Sequence, residues 1–162
     1  MSDVVIRPAG PADLWFLERM LCWAAGWRSD ELDESLLAEA AVSRYVDGWG
    51  RPGDFALIAE TSAGGESVGA AWYRLFGAQE DSYGFVDKKT PEVTIGVEPG
   101  HRGGGIGRAL LEALARSARA NGYSTLSLSV EEENPALRLY ERVGFERRSQ
   151  GGRACTLVVL LD

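Results

Sequence analysis

Residues 92–108 read Glu-Val-Thr-Ile-Gly-Val-Glu-Pro-Gly-His-Arg-Gly-Gly-Gly-Ile-Gly-Arg. The β-prone run Glu92 to Val97 passes through Pro99 and Gly100 into a turn holding four glycines between Arg102 and Arg108, and a helical pattern starts inside that turn. Strand, glycine turn and helix together make an anion site. The first amides of a helix lack intrahelical acceptors, and the helix dipole favours negative charge at that end. Glycine lets a phosphate approach the backbone and supplies positive φ where a turn needs it.

Three phosphate motifs can be told apart here. A Walker loop needs G-x-x-x-x-G-K-[ST], and this turn has no lysine. The dinucleotide fingerprint G-x-G-x-x-G fails as well, because counting from Gly103 its last glycine falls on Arg108, and from Gly105 on Leu110. The pattern R-x-x-G-x-G fits, as Arg102, Gly105 and Gly107. By itself it also fits a glycine-rich turn with no ligand.

Working outward, Ile106 to Asn121 predicts a helix stopped by Gly122, and Thr125 to Val130 an apolar strand. Asn134 to Arg142 predicts a second helix closed by Gly144, with Leu137, Leu139 and Tyr140 on its apolar face and Arg138, Glu141 and Arg142 toward solvent. Cys155 to Leu161 reads as a final strand. Upstream, Asp54 to Thr61 and Ser67 to Phe76 form a hairpin pattern around Ala63-Gly64-Gly65-Glu66. Val4 to Arg7 predicts a strand, Leu14, Leu17 and Leu21 recur at helical spacing, and the propensities of 31–47 favour a further helix ended at Gly48. The order is mixed α/β, with no repeat or linker dividing residues 1–162, so a single domain is expected.

The segments 102–108 and 134–145 together resemble the GNAT superfamily of N-acetyltransferases. Its cofactor turn reads R-x-x-G-x-G/A, and its next helix carries N…A…LY…GF, here Asn134, Ala136, Leu139-Tyr140 and Gly144-Phe145. The resemblance implies a twisted, mostly antiparallel sheet of about seven strands, splayed at the cofactor site and flanked by about four helices. It also implies acetyl-CoA as co-substrate, no metal, and direct transfer of acetyl to an amine in a ternary complex.

The same resemblance assigns roles along the chain. The backbone of Ile95 to Val97 would pair with the pantetheine arm. The amides of Arg102, Gly103, Gly104, Gly105 and Gly107, with Arg108 beside them, would hold the pyrophosphate. Asn134 would bond the pantetheine region, and Tyr140 would protonate the leaving sulfur. Glu92 stands where many members carry a carboxylate that takes the amine proton; its other reading is an exposed strand-end glutamate. His101, the one histidine, reads as a solvated loop residue despite an unperturbed pKa near neutrality.

The acceptor groove implied by the family lies near 22–34 and 77–90, which hold Trp23, Trp27, Tyr83 and Phe85 among carboxylates. A cation with an apolar body would suit such a wall. Equally, Trp23 and Trp27, four apart, could share one helical face packed on the core. The alternatives to an N-acetyltransferase are a non-catalytic acetyl-CoA sensor and a transferase using another acyl-CoA or an oxygen acceptor.

Composition sets the outer bounds. A net charge of −7 and a pI near 4.8 argue against nucleic acid, whose binding depends on clustered Lys and Arg. Cys22 and Cys155 lie far apart without ligand-spaced neighbours, so neither zinc nor a disulfide framework is indicated. The opening residues lack the pattern of a secretion signal and no apolar run is long enough to span a bilayer, so the expected location is cytoplasmic by default. The partner expected is a small-molecule or protein amine, with no membrane and with a homodimer left open.

Overall fold

A computed structural model describes residues 3–151 and 154–162. Met1 and Ser2 of the opening run lie outside the described residues, as do Gly152 and Arg153. Seven strands form one sheet: β1 (Val4–Pro8), β2 (Phe55–Thr61), β3 (Ser67–Arg74), β4 (Glu92–Val97), β5 (Thr125–Glu131), β6 (Glu146–Gly151) and β7 (Ala154–Leu160), in the order β1-β2-β3-β4-β5-β7-β6. Every neighbouring pair is antiparallel except β4 with β5. The hairpin expected at 63–66 is present, with Gly65 at φ 65° donating to the Thr61 carbonyl.

Helices cover both faces. On one lie α1 (Leu14–Ala25) and the single-turn α2 (Ala40–Ser43); on the other lie α3 (Ile106–Ala120) and α4 (Ala136–Val143). The strand period of two sorts side chains between the two cores: Ala56 and Ile58 of β2 turn toward α1, Leu57 and Ala59 toward α3. The apolar stripe of α3 is Ile106, Leu110, Leu111, Leu114 and Ala118, all buried. Each leucine so buried stabilises the fold by about 2 kcal/mol before entropy is counted. Among the described residues no helix is long and apolar enough to cross a membrane.

The helix expected over 31–47 is not formed. Glu34–Ala38 makes a 3-10 turn, with Asp33 accepting the Ser35 amide, and Glu39 is extended at ψ 122° before α2 begins. The cause lies in where the apolar residues fall. Leu36 packs on the α1-side core, and so do Val42, Tyr45 and Val46. On a regular helix Leu36 and Val42 would stand roughly 120° apart. A break at Glu39 resets the phase so that Val42 is buried while Leu36 packs half-buried on the same core, and packing overrides propensity. The pair Trp23 and Trp27 also departs from expectation: α1 ends at Ala25 and is capped by Gly26, so only Trp23 is on the helix.

Candidate active site

The sheet opens between β4 and β5. Their ladder has a single register pair, Glu92 with Ser127, supported by the Ser127 amide donating to the Pro91 carbonyl at 3.0 Å. Beyond that pair the strands part, and the β5-side edge of Ile95 to Val97 is left without a strand partner. β4 meanwhile stays fully paired to β3 from Arg74–Glu92 to Gly69–Val97. An unpaired strand edge inside a sheet is a template for an extended ligand.

β4 turns Glu92, Thr94 and Gly96 toward α1 and Val93, Ile95 and Val97 toward α3. At Gly96 the α1 backbone comes so close that a Cβ would meet the Met20 carbonyl at 2.5 Å. Glycine is therefore required for α1 to lie on the open strand. Sequence reading passed over this residue, although a glycine inside a strand is the usual mark of a close backbone approach.

At the mouth of the opening, the glycine turn feeds α3. Gly103 and Gly105 have φ of 82° and 89°, Gly105 is the residue before the helix, and a Cβ at Gly100, Gly103 or Gly105 would touch nothing within 4 Å. The turn thus presents bare backbone and the first amides of a fifteen-residue helix, which fits a pyrophosphate. Gly107 has a different reason: its Cβ would press on Leu139 Cδ2 at 2.9 Å, so it serves the packing of α3 on α4. Arg102 folds back, its Nε donating to the Val97 carbonyl at 2.8 Å and its guanidinium lying 5.3 Å from the Trp23 ring centre. Arg108 pairs with Glu112 at 3.2 Å along the helix. His101 sits at the surface of the turn, 3.9 Å from Glu66.

Glu92 is 3% exposed, which excludes the strand-end reading. Its Oε2 accepts the Tyr45 hydroxyl at 2.6 Å and the Gly84 amide at 3.0 Å. Among the described residues Oε1 is buried without a hydrogen-bond partner, and so is the nearby Ser82 Oγ. Burial pushes the Glu92 carboxyl above its ordinary value, and the hydrogen bonds from Tyr45 and Gly84, with the Ser82 hydroxyl close by, only partly offset that. A carboxyl held in this state is a better proton acceptor once ionised.

Tyr140 rises from α4 into the α3-side core, 8% exposed and edge-on to Phe145 at 6.1 Å. Its hydroxyl makes no hydrogen bond among the described residues. Burial raises its pKa, which keeps it protonated. Asn134 is spent partly on local structure: its Oδ1 accepts the Ala136 amide at 2.9 Å, so α4 starts two residues later than the sequence suggested. Glu92 and Tyr140 therefore lie on opposite faces of the sheet.

Of the aromatics expected near an acceptor, Trp23 is buried, with its indole N–H unpartnered among the described residues. Trp27 reaches across to the end of β5, its indole N–H donating to Glu131 at 3.0 Å while Arg28 stacks over it at 4.2 Å. Tyr83 is 63% exposed, and Phe85 is half-buried against the α1-side core. Two further elements went unread in the sequence. Tyr45 is one. The other is the pair Arg74–Asp54, 2.8 Å apart with side chains 1% and 2% exposed, in which Arg74 also donates to the carbonyls of Arg44 and Asp47 and so anchors the segment that carries Tyr45.

Comparison with known proteins agrees with this geometry. The Acetyltransferase (GNAT) family profile matches residues 14–145. Mycothiol acetyltransferase of Rhodococcus erythropolis is 32% identical over 146 residues, covering 88% of this chain and 42% of the relative, so the chain spans about two fifths of that protein. An L-methionine sulfoximine/L-methionine sulfone acetyltransferase of Pseudomonas paraeruginosa is 32% identical over 146 residues, covering 90% of this chain and 81% of the relative. Among solved structures, yncA of Salmonella typhimurium, a putative acetyltransferase with acetyl-CoA, superposes with TM-score 0.71 at 23% identity, covering 99% of this chain and 95% of that one. Fold, opened sheet, glycine turn and sequence coverage converge: the chain belongs to the acetyltransferase (GNAT) family.

Proposed function

We propose that residues 1–162 form one acetyl-CoA-dependent N-acetyltransferase domain that passes acetyl directly to a primary amine in a ternary complex. The observation that carries this is the parted β4–β5 pair, with bare backbone at its mouth and a buried, half-partnered carboxylate at its root. Acetyl-CoA would bring an activated thioester. The amides from Arg102 to Gly107 would hold its pyrophosphate, the edge of Ile95 to Val97 its pantetheine arm, and Asn134 would add a side-chain contact. Arg108, already paired along its helix, would contribute charge nearby.

Within this reading, Glu92 accepts the proton that the amine loses as its nitrogen bonds to the acetyl carbon. The Tyr140 hydroxyl gives its proton to the sulfur as the carbon–sulfur bond breaks. A backbone amide of the open edge steadies the carbonyl oxygen. The relative that matches this chain over most of its own length is named for a small amino-acid-like acceptor, which supports a small amine here.

The test is thiol release from acetyl-CoA with a panel of amines, alongside a binding measurement. Turnover with at least one amine, lowered about a hundredfold or more by Glu92→Gln, is expected from the usual worth of general-base catalysis. Tight acetyl-CoA binding with no turnover on any amine would overturn the reading in favour of a sensor.

A further inference from the structure

Tyr45 lies just past α2, 8% exposed and forty-seven residues before Glu92 in sequence. It is fixed at every point where it could be. Its ring stands edge-on to Phe76 at 5.2 Å, and its carbonyl accepts the Trp72 indole N–H at 3.1 Å. Its hydroxyl donates to Glu92 Oε2 at 2.6 Å and accepts the Tyr83 amide at 3.0 Å. The next amide along, Gly84, donates to the same Oε2, while the Gly84 carbonyl accepts Ser127 Oγ at 2.8 Å. Two oxygens therefore knit together three segments: the stretch after α2, the loop 77–90 and the root of β4.

Other groups around Glu92 are few. From the stretch near α2 come Arg44, whose charge favours the anion, and Tyr45; from the loop come the Ser82 hydroxyl and the Gly84 amide. From β5 comes Ser127, engaged with Gly84. From β3 comes Arg74, the register partner of Glu92, whose guanidinium is turned onto Asp54. Tyr45 gives the shortest hydrogen bond of the set.

We propose that Tyr45 is a positioning residue for the base: its hydroxyl holds Glu92 Oε2 and the 82–84 loop in one arrangement, so that Oε1 is the oxygen left for the acceptor amine. The inference rests on reading Glu92 as the base. Among the described residues Oε1 is buried and has no hydrogen-bond partner, and a buried acceptor left open calls for a ligand or a proton. Burial carries the Tyr45 hydroxyl far above its ordinary pKa, so it stays a donor throughout the working range. A bond donated to a carboxylate favours the ionised form, and losing it raises the carboxyl pKa.

The experiment is the pH dependence of kcat/KM for the amine, with acetyl-CoA affinity measured in parallel. Tyr45→Phe keeps the ring and removes the hydroxyl. Its acid limb should move up by on the order of one pH unit, with acetyl-CoA affinity unchanged, the size expected for one charge-assisted hydrogen bond. Replacing Tyr45 with a ring-fluorinated tyrosine, whose hydroxyl is a stronger donor, should move the limb down, and this variant decides the matter if Tyr45→Phe does not fold. An acid limb that stays in place in the folded variants overturns the proposal. Glu92→Gln separates the two failures: if it keeps the wild-type rate and limb, the base assignment falls first, whereas if it abolishes the limb while the Tyr45 variants leave it fixed, only Tyr45 is wrong.

Discussion

Gly84→Ala probes how the loop 77–90 is seated. Gly84 does not have a positive φ, so alanine pays no conformational penalty there and any cost is steric. A Cβ would stand 2.7 Å from the Leu128 carbonyl carbon, 2.9 Å from the Ser129 nitrogen and 3.0 Å from Glu92 Cδ. Two of these three are backbone atoms of β5, a strand held by seven register pairs to β7, so the loop must give way. Moving the Cβ out to the 3.4 Å at which ordinary contact begins lengthens both bonds of Gly84, the 3.0 Å donation to Glu92 and the 2.8 Å acceptance from Ser127. Overpacking costs about 1–3 kcal/mol and each buried hydrogen bond about 1 kcal/mol, so about 3–5 kcal/mol is at stake. At this chain length that lowers the melting temperature by roughly 6–20 °C. Calorimetry measures the melt, and the amine pH profile should show the acid limb displaced upward, because Glu92 has lost an amide donor. A melting temperature within about 2 °C of wild type, with an unchanged profile, would refute the packing of this loop on β5.

Other substitutions separate fold from chemistry. Asp54→Ala strands the buried Arg74 guanidinium, and removing one partner of a buried pair costs about 3–5 kcal/mol; the urea midpoint should fall with its slope unchanged, and a wild-type midpoint would deny the pair any part in holding 44–54. Gly105→Ala meets no atom but must adopt φ 89°, so stability should drop by about 1–2 kcal/mol and acetyl-CoA binding, read by titration calorimetry, should weaken. Full affinity would remove that turn from the cofactor site. Tyr140→Phe deletes a hydroxyl that makes no hydrogen bond among the described residues, so the melt should hold or rise while kcat falls about a hundredfold or more. A retained kcat would take Tyr140 out of the mechanism.

What the sequence disclosed about this site follows how local each feature is. The span 92–108 is legible because strand, turn and helix start are decided within a few residues: Gly103 and Gly105 do take positive φ, and β4 has the bounds its pattern implies. The amphipathic pattern of α4 is equally local, and Leu137 and Tyr140 are the side chains it buries. Residues 31–47 were misread for the opposite reason. Their helix propensity is a sum over neighbours, whereas the break at Glu39 comes from packing Leu36 and Val42 against the same α1-side core.

Glu92 shows where local reading stops. Its position at the head of β4 fits a base and a surface glutamate equally well, and nothing within ten residues separates them. The separation comes from a distance: Tyr45, supplied by a segment that Arg74 and Asp54 anchor, and Gly84, supplied by a loop that doubles back onto β5. Burying a carboxylate costs several kcal/mol unless hydrogen bonds repay it, and here they repay one oxygen and not the other. The fold uses two long-range contacts to hold Oε2, while among the described residues the buried Oε1 accepts no hydrogen bond. A glutamate kept only for stability would have both oxygens satisfied or be replaced by an apolar residue. That imbalance is the physical ground on which Glu92 is proposed as the base.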